Sequence, residues 1–170
     1  MIILSSGERH EIGKPFIPDI QAIAFALSNI NRFTGHVGGY SVAQHCCLVS
    51  DHLPDNLRLS GLLHDAPEAY IGDISAPLKR HIPDYKKLET FYHSVIDSYY
   101  RVDTENPGVK EIDIRALVTE ASAFGLCSSA FPDVEPLTSR LRKWSAEEAR
   151  IEFLSRFERL VRLRSVRDSK

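Results

Sequence analysis

His64 and Asp65 are adjacent at the end of an apolar run, and Glu68 and Asp73 follow in the same stretch, "GLLHDAPEAYIGDI" (61–74). A neighbouring imidazole nitrogen and carboxylate oxygen form a donor mixture that transition metals accept. Acids crowded beside an apolar segment also require a positive partner, because an unpaired charge is costly to bury. A divalent cation held by His64 and Asp65 meets that requirement. Such an ion lowers the pKa of bound water toward about 7 and polarises a phosphoryl oxygen. Glu68, one helical turn past His64, is placed to orient or deprotonate that water. Gly72 lets the backbone turn tightly before Asp73. Asp73 would then hold Glu68, steer a second ion or protonate a leaving oxygen.

A site of this kind needs ligands from other helices. "SVAQHC" supplies His45. Successive helical residues are turned by about 100°, so Cys46 and Cys47 do not face the same ion as His45. His52 lies two turns further on, about 10 Å away, and cannot share the ion either. Taken alone, His45 reads as a core or surface histidine, and the His–Asp doublet is what raises it to a ligand. "VKEIDIRAL" (109–117) offers Asp113 between apolar Ile112 and Leu117. Spacing leaves Asp113 open between a ligand and a solvated helix carboxylate beside Lys110, Glu111 and Arg115.

The elements that must position these groups are helical. Asp19 caps a helix in which Ile20, Ile23, Ala24, Leu27 and Ile30 recur at three- and four-residue steps. "RFTGHVGGY" (32–40) is a glycine-rich break. Ser41 caps a second helix with Val42, Cys46 and Val49 along one face. A third helix runs from about Asn56 and stops just after His64–Asp65, because Pro67 disfavours helical geometry at Ala66. "ISAPLKR" (74–80) is a short helical turn, Asp84 opens a long helix and Pro107 begins another. Trp144–Arg164 is a last amphipathic helix with Ile151, Leu154, Phe157 and Val161 as its inner stripe. Met1–Ile12 reads as loop with a short strand or hairpin. Convincing alternating strands are missing, so the expected fold class is an all-α bundle in a single domain over 1–170.

Composition narrows the function classes. With 170 residues, 43% hydrophobic and 26% charged, the chain suits one globular domain. A net charge of −2 implies no broad attraction to polymeric nucleic acid or to an anionic membrane. The basic C-terminal "RFERLVRLRSVRDSK" reads as a solvated helix face. No apolar run approaches the roughly 20 residues of a membrane span, and the apolar start is too short for a signal-peptide core. Cys46, Cys47 and Cys127 form no CxxC pair, and their odd number argues against a disulfide framework, so a cytoplasmic location is expected.

The order His45, His64–Asp65, Asp113 resembles the H…HD…D pattern of the HD-domain metal-dependent phosphohydrolases. The blocks "NRFTGHVGGYSVAQH", "GLLHDAPEAYIGDISAPLKR" and "VKEIDIRAL" are similar to those of a bacterial and phage subgroup of 5′-deoxynucleotidases and deoxynucleoside triphosphohydrolases. The likeness covers roughly residues 20–125. It implies a divalent ion (Mn, Co, Zn, Fe or Mg) on His45, His64, Asp65 and Asp113, with Glu68 and Asp73 as catalytic carboxylates. It further implies a nucleotide substrate contacted by Arg32, His36 and Lys79, and a homo-oligomer. Two positions depart from the pattern: Gln44 stands where relatives often have Glu, and Pro67 where a small residue is common. The alternatives are a catalytically silent nucleotide-binding module and a hydrolase of another phosphate ester.

Overall fold

The computed structural model describes residues 1–126 and 131–168; Cys127 lies outside the described residues. The chain folds as an all-α bundle with one small hairpin. Strands β1 (Ile2–Ile3) and β2 (Arg9–His10) pair antiparallel. Helices α1 (Ile20–Asn29), α2 (Val42–Asp51), α3 (Arg58–Leu63) and α4 (Glu68–Ile71) follow. Then come α5 (Ala76–Lys79), α6 (Pro83–Tyr100), α7 (Pro107–Ala123) and α8 (Ala146–Asp168). Among the described residues no helix is long and apolar enough to cross a membrane.

The caps follow the sequence. Asp19 accepts from the Gln21 N–H at the start of α1, and Ser41 accepts from the Gln44 N–H at the start of α2. Asn106 accepts from the Gly108 N–H ahead of α7. The glycine-rich break is a closed loop. The Arg32 N–H donates to the Tyr40 carbonyl at 2.9 Å, and the Val42 N–H donates to the Ile30 carbonyl at 2.9 Å. Arg32 therefore sits at a fixed loop base, although the loop between is exposed.

Helix α2 lies at the centre. Its expected single apolar face is an underestimate: every residue from Val42 to Ser50 is buried. One side joins Ile23 and Leu27 of α1, Leu62 and Leu63 of α3 and Phe153 of α8 in the main core. The other side places Leu48 and Val49 against Val109 and Ala116 of α7. The expected stripe of α8 is also shifted. Ile151 is 52% exposed, while Ala149, Phe153 and Leu160 are the buried residues. Leu154, Phe157 and Val161 pack at the margin of the core. Arg156 then ties α8 to the end of α2 through Asp51 at 2.7 Å.

Helix α3 ends where Pro67 demands. Residues 64–67 continue as tight turns, with the Ala66 N–H on the Leu63 carbonyl and the Glu68 N–H on the Asp65 carbonyl. The doublet thus occupies a sharp connection between α3 and α4. The hairpin braces α4 from outside: buried His10 meets the Tyr92 hydroxyl at 2.6 Å and packs on Tyr70.

Gly61 sets the approach of α3 to α2. A Cβ there would meet the Leu53 and Val49 side chains and stand 3.5 Å from the Ser50 Cα. Gly61→Ala should cost about 1–3 kcal/mol, the range for overpacking a filled core. Chemical denaturation of the two proteins measures this; equal midpoints would show that the contact is loose.

Candidate metal centre

Four side chains from three segments converge between α2, α7 and the turn after α3. His45 is fully buried, and its Nε2 lies 3.3 Å from the Nε2 of His64. Asp65 approaches from the turn, with Oδ1 3.2 Å from His64 Nε2 and Oδ2 3.7 Å from His45 Nε2. Asp113 comes from α7, with Oδ1 3.0 Å from His45 Nε2 and 3.8 Å from His64 Nε2.

The opposite ring nitrogens decide what the Nε2 atoms do. His64 Nδ1 faces the Gly61 carbonyl at 2.8 Å, an acceptor only, so Nδ1 carries a proton. His45 Nδ1 faces Glu120 Oε1 at 2.6 Å and likewise donates. In the neutral rings both Nε2 lone pairs then point at one spot, between two carboxylates. Ligating histidines are commonly held in this way, the far nitrogen tied to a carbonyl or carboxylate.

The donor set fits a divalent ion. His45, His64 and Asp65 offer ligand atoms that all lie within 4.8 Å of one another. Two donors about 2.1 Å from a tetrahedral ion stand about 3.4 Å apart, close to the 3.3 Å between the two imidazoles. The electrostatics agree. Burial opposes protonation of both histidines, yet Glu120 and Asp113 hold His45 above its ordinary pKa and Asp65 does the same for His64. Burial likewise works against ionising Asp65 and Asp113, and the two imidazoles outweigh it and hold both carboxyls low. The cluster demands positive charge at its centre, which a cation supplies as well as protons do.

Glu120 was not singled out in the sequence. It is fully buried and accepts from three groups: His45 Nδ1, the Tyr40 hydroxyl at 2.9 Å and Arg32 Nε at 3.0 Å. Its signal was available, because it lies two helical turns after Asp113 and so shares that face of α7. Gln44, where relatives often have Glu, does not face His45. The Gln44 amide instead donates to the Arg142 carbonyl at 2.6 Å and accepts from the Trp144 N–H at 3.0 Å, pinning the segment before α8.

The remaining expected residues divide. Arg32 is at the cluster, with Nη1 3.9 Å from Asp65 Oδ2. Burial works against its charge, and Glu120 and Asp65 more than offset that. Glu68 stands at the start of α4 with Oε2 buried and without a hydrogen-bond partner. Burial, then Asp65 and Asp73, push its pKa well up. Gly72 does adopt a left-handed conformation (φ 77°), and Asp73 after it is exposed. Burial by its surroundings still raises the Asp73 pKa. Lys79 lines a cavity of about 210 Å³ together with His64, Asp65 and Asp113. Its ammonium is already paired with Glu89 at 2.5 Å. His36 is exposed in the glycine-rich loop and makes no hydrogen bond to the cluster among the described residues. Cys46 and Cys47 belong to the core, and burial lifts the Cys46 thiol to about 11. His52 is occupied elsewhere, by the Leu48 carbonyl and Ser139.

Two relatives are similar to part of this chain. YfdR of Escherichia coli (strain K12), described as an uncharacterized protein, is 45% identical over 114 residues, or 66% of this chain and 64% of YfdR. An uncharacterized protein of Rhodobacter capsulatus is 37% identical over 89 residues, or 45% of each chain. The chain thus spans less than two thirds of the length of either relative. No family model matches the chain.

Two variants separate ligands from their supports. His64→Ala should abolish the binding of an added divalent ion that the cluster is expected to hold. Glu120→Gln should keep it but weaken it about 10- to 100-fold, as for other groups that orient a ligand. Competition against a chelator reads both, and an unchanged affinity in Glu120→Gln would leave Glu120 as a packing residue.

Proposed function

We propose that the chain is an HD-type metal-dependent phosphohydrolase acting on nucleotides, with deoxynucleotides as the favoured class. The observation that carries the hydrolase part is the convergence of two Nε2 atoms 3.3 Å apart on the Asp65 and Asp113 carboxylates. The nucleotide part rests on the likeness of the sequence blocks.

His45, His64, Asp65 and Asp113 would hold the divalent ion. When bound, it would supply Lewis acidity toward a phosphoryl oxygen and an acidified water. The protein's own groups do the rest. Glu68 is the proton carrier: a buried carboxyl whose pKa is pushed up by burial and by Asp65 and Asp73 holds a proton more firmly than an ordinary carboxyl and can pass it on. Its unpartnered oxygen is free to meet a water or a substrate oxygen. Asp73, exposed at the end of the α4 turn, keeps Glu68 from ionising and would serve the leaving oxygen. Arg32 stands at the cluster beside Asp65, and Lys79, Lys86 and Lys110 line the cavity, where Glu89 and Glu105 pair with the lysines. A phosphate group would bind to these cations in competition with those carboxylates. A silent binding module has no use for a buried proton carrier, and this favours catalysis over mere binding.

The test is phosphate release from a panel of nucleoside mono- and triphosphates with Mn²⁺, Co²⁺ or Mg²⁺. Turnover is expected with at least one pair, and none across the panel would remove the nucleotide reading. Glu68→Ala should lower kcat by about 10²–10⁴-fold, the usual contribution of a positioned acid or base. Metal content should stay near that of the unaltered protein. Turnover at the original rate in this variant would end the assignment of Glu68 while leaving the metal site standing.

A further inference from the structure

The chain as a whole is negative, with a net charge of −2, yet one cavity reverses that sign. It encloses about 350 Å³ between the start of α3, the end of α6 and the last turns of α8. Its floor is apolar, formed by Leu59, Val102 and Leu160. Around the floor stand Arg58, Arg101, Arg159, Arg164 and Arg167, opposed by Asp55 and Asp168. It shares no lining residue with the cavity at the metal cluster.

The pairing inside the cavity leaves guanidinium groups available. Asp55 is divided between Arg167 at 3.0 Å and Arg58 at 3.6 Å. Arg164 donates through Nη1 alone, to the Tyr100 and Arg101 carbonyls at 2.7 and 3.2 Å. Arg101 and Arg159 have no ion pair and no side-chain hydrogen bond among the described residues.

Arg101 adds a separate observation. It ends α6 in the left-handed region, with φ 54° and ψ 56°. Glycine is the usual residue at such a helix end, because a Cβ makes this conformation costly. The backbone bond made there, from the Arg101 N–H to the Asp97 carbonyl, would form equally well with glycine. What arginine contributes at this seat is a guanidinium at the cavity, kept against a local strain. Strain of this kind is commonly found at ligand sites.

We propose that this cavity is a second ligand site that binds the polyphosphate group of a small molecule. Arginine forks pair with phosphate oxygens two at a time, and several are needed to neutralise a group of multiple charges. The volume lies in the range of small-ligand sites, about 300–1,000 Å³, and the apolar floor gives an attached organic part a surface to cover. The polyphosphate comes from one of two sources, a free inorganic polyphosphate or a nucleoside polyphosphate.

Calorimetric titration of the full chain with inorganic tripolyphosphate and with ATP tests this. The wild type is expected to bind at least one of them; ATP alone would identify a nucleotide site and tripolyphosphate alone a free-polyphosphate site. The double variant Arg101→Gly, Arg159→Ala should weaken that binding at least tenfold. Arg101→Gly alone should weaken it while holding or raising the melting temperature, which a purely structural arginine would not do. Arg32→Ala, at the metal cluster, should retain the site. No binding of either probe at millimolar concentration would overturn the proposal. So would equal affinity in the cavity variants, or a loss confined to Arg32→Ala.

Discussion

The arrangement depends on two hydrogen bonds that face away from the centre. The Gly61 carbonyl and the Glu120 carboxylate each take the Nδ1 proton of one histidine, and in doing so they aim both Nε2 atoms inward. Without those anchors the rings could rotate, or present an N–H where a lone pair is required. Gly61 serves twice. It lacks the side chain that would hold α3 away from α2, and its carbonyl orients the ring three residues later, just past the end of α3. Backbone packing and ligand direction are therefore set by a single residue.

The burial of α2 follows from the same constraint. A histidine held at 0% exposure needs its helix enclosed on every side, and α2 is flanked by α1, α3 and α8 on one side and α7 on the other. Enclosure also raises the cost of each unpaired charge. The cluster meets that cost by sharing: Glu120 serves three donors, and Asp65 and Asp113 each face both histidines. Removing one member leaves the others buried without partners, so the group behaves as a unit.

Much of the fold was legible in the sequence. Asp19, Ser41, Pro67 and Pro107 mark where helices begin or end, because caps and prolines act locally. The inner stripe of α8 was not legible in full. Which face of a long amphipathic helix turns inward depends on its neighbours, and here Phe153 rather than Ile151 fills the core. The candidate ligands were readable in outline, since the side chains of His45, His64, Asp65 and Asp113 do meet. Glu120 was passed over because a lone carboxylate in a charged helix looks solvated until its burial is known. His36, exposed in the glycine-rich loop, is not brought to the cluster by the fold, and its place in that block does not fix which way its side chain turns.

Arg32 and Lys79 differ in how they would meet a phosphate. Arg32 uses Nε on Glu120, and its terminal nitrogens lie on the other side of a planar fork, at the Asp65 edge. One guanidinium can therefore remain fixed by Glu120 while it engages a second anion. Lys79 has no such division of labour. Its ammonium is a point charge already drawn to Glu89, and a phosphate must share it or displace that carboxylate. Arg32 is oriented in advance by a partner it need not leave, whereas Lys79 gains a phosphate contact only against a contact it already has. If the proposed phosphate substrate binds here, this geometry would let the arginine set its position and the Lys79–Glu89 pair set how much charge is presented to it.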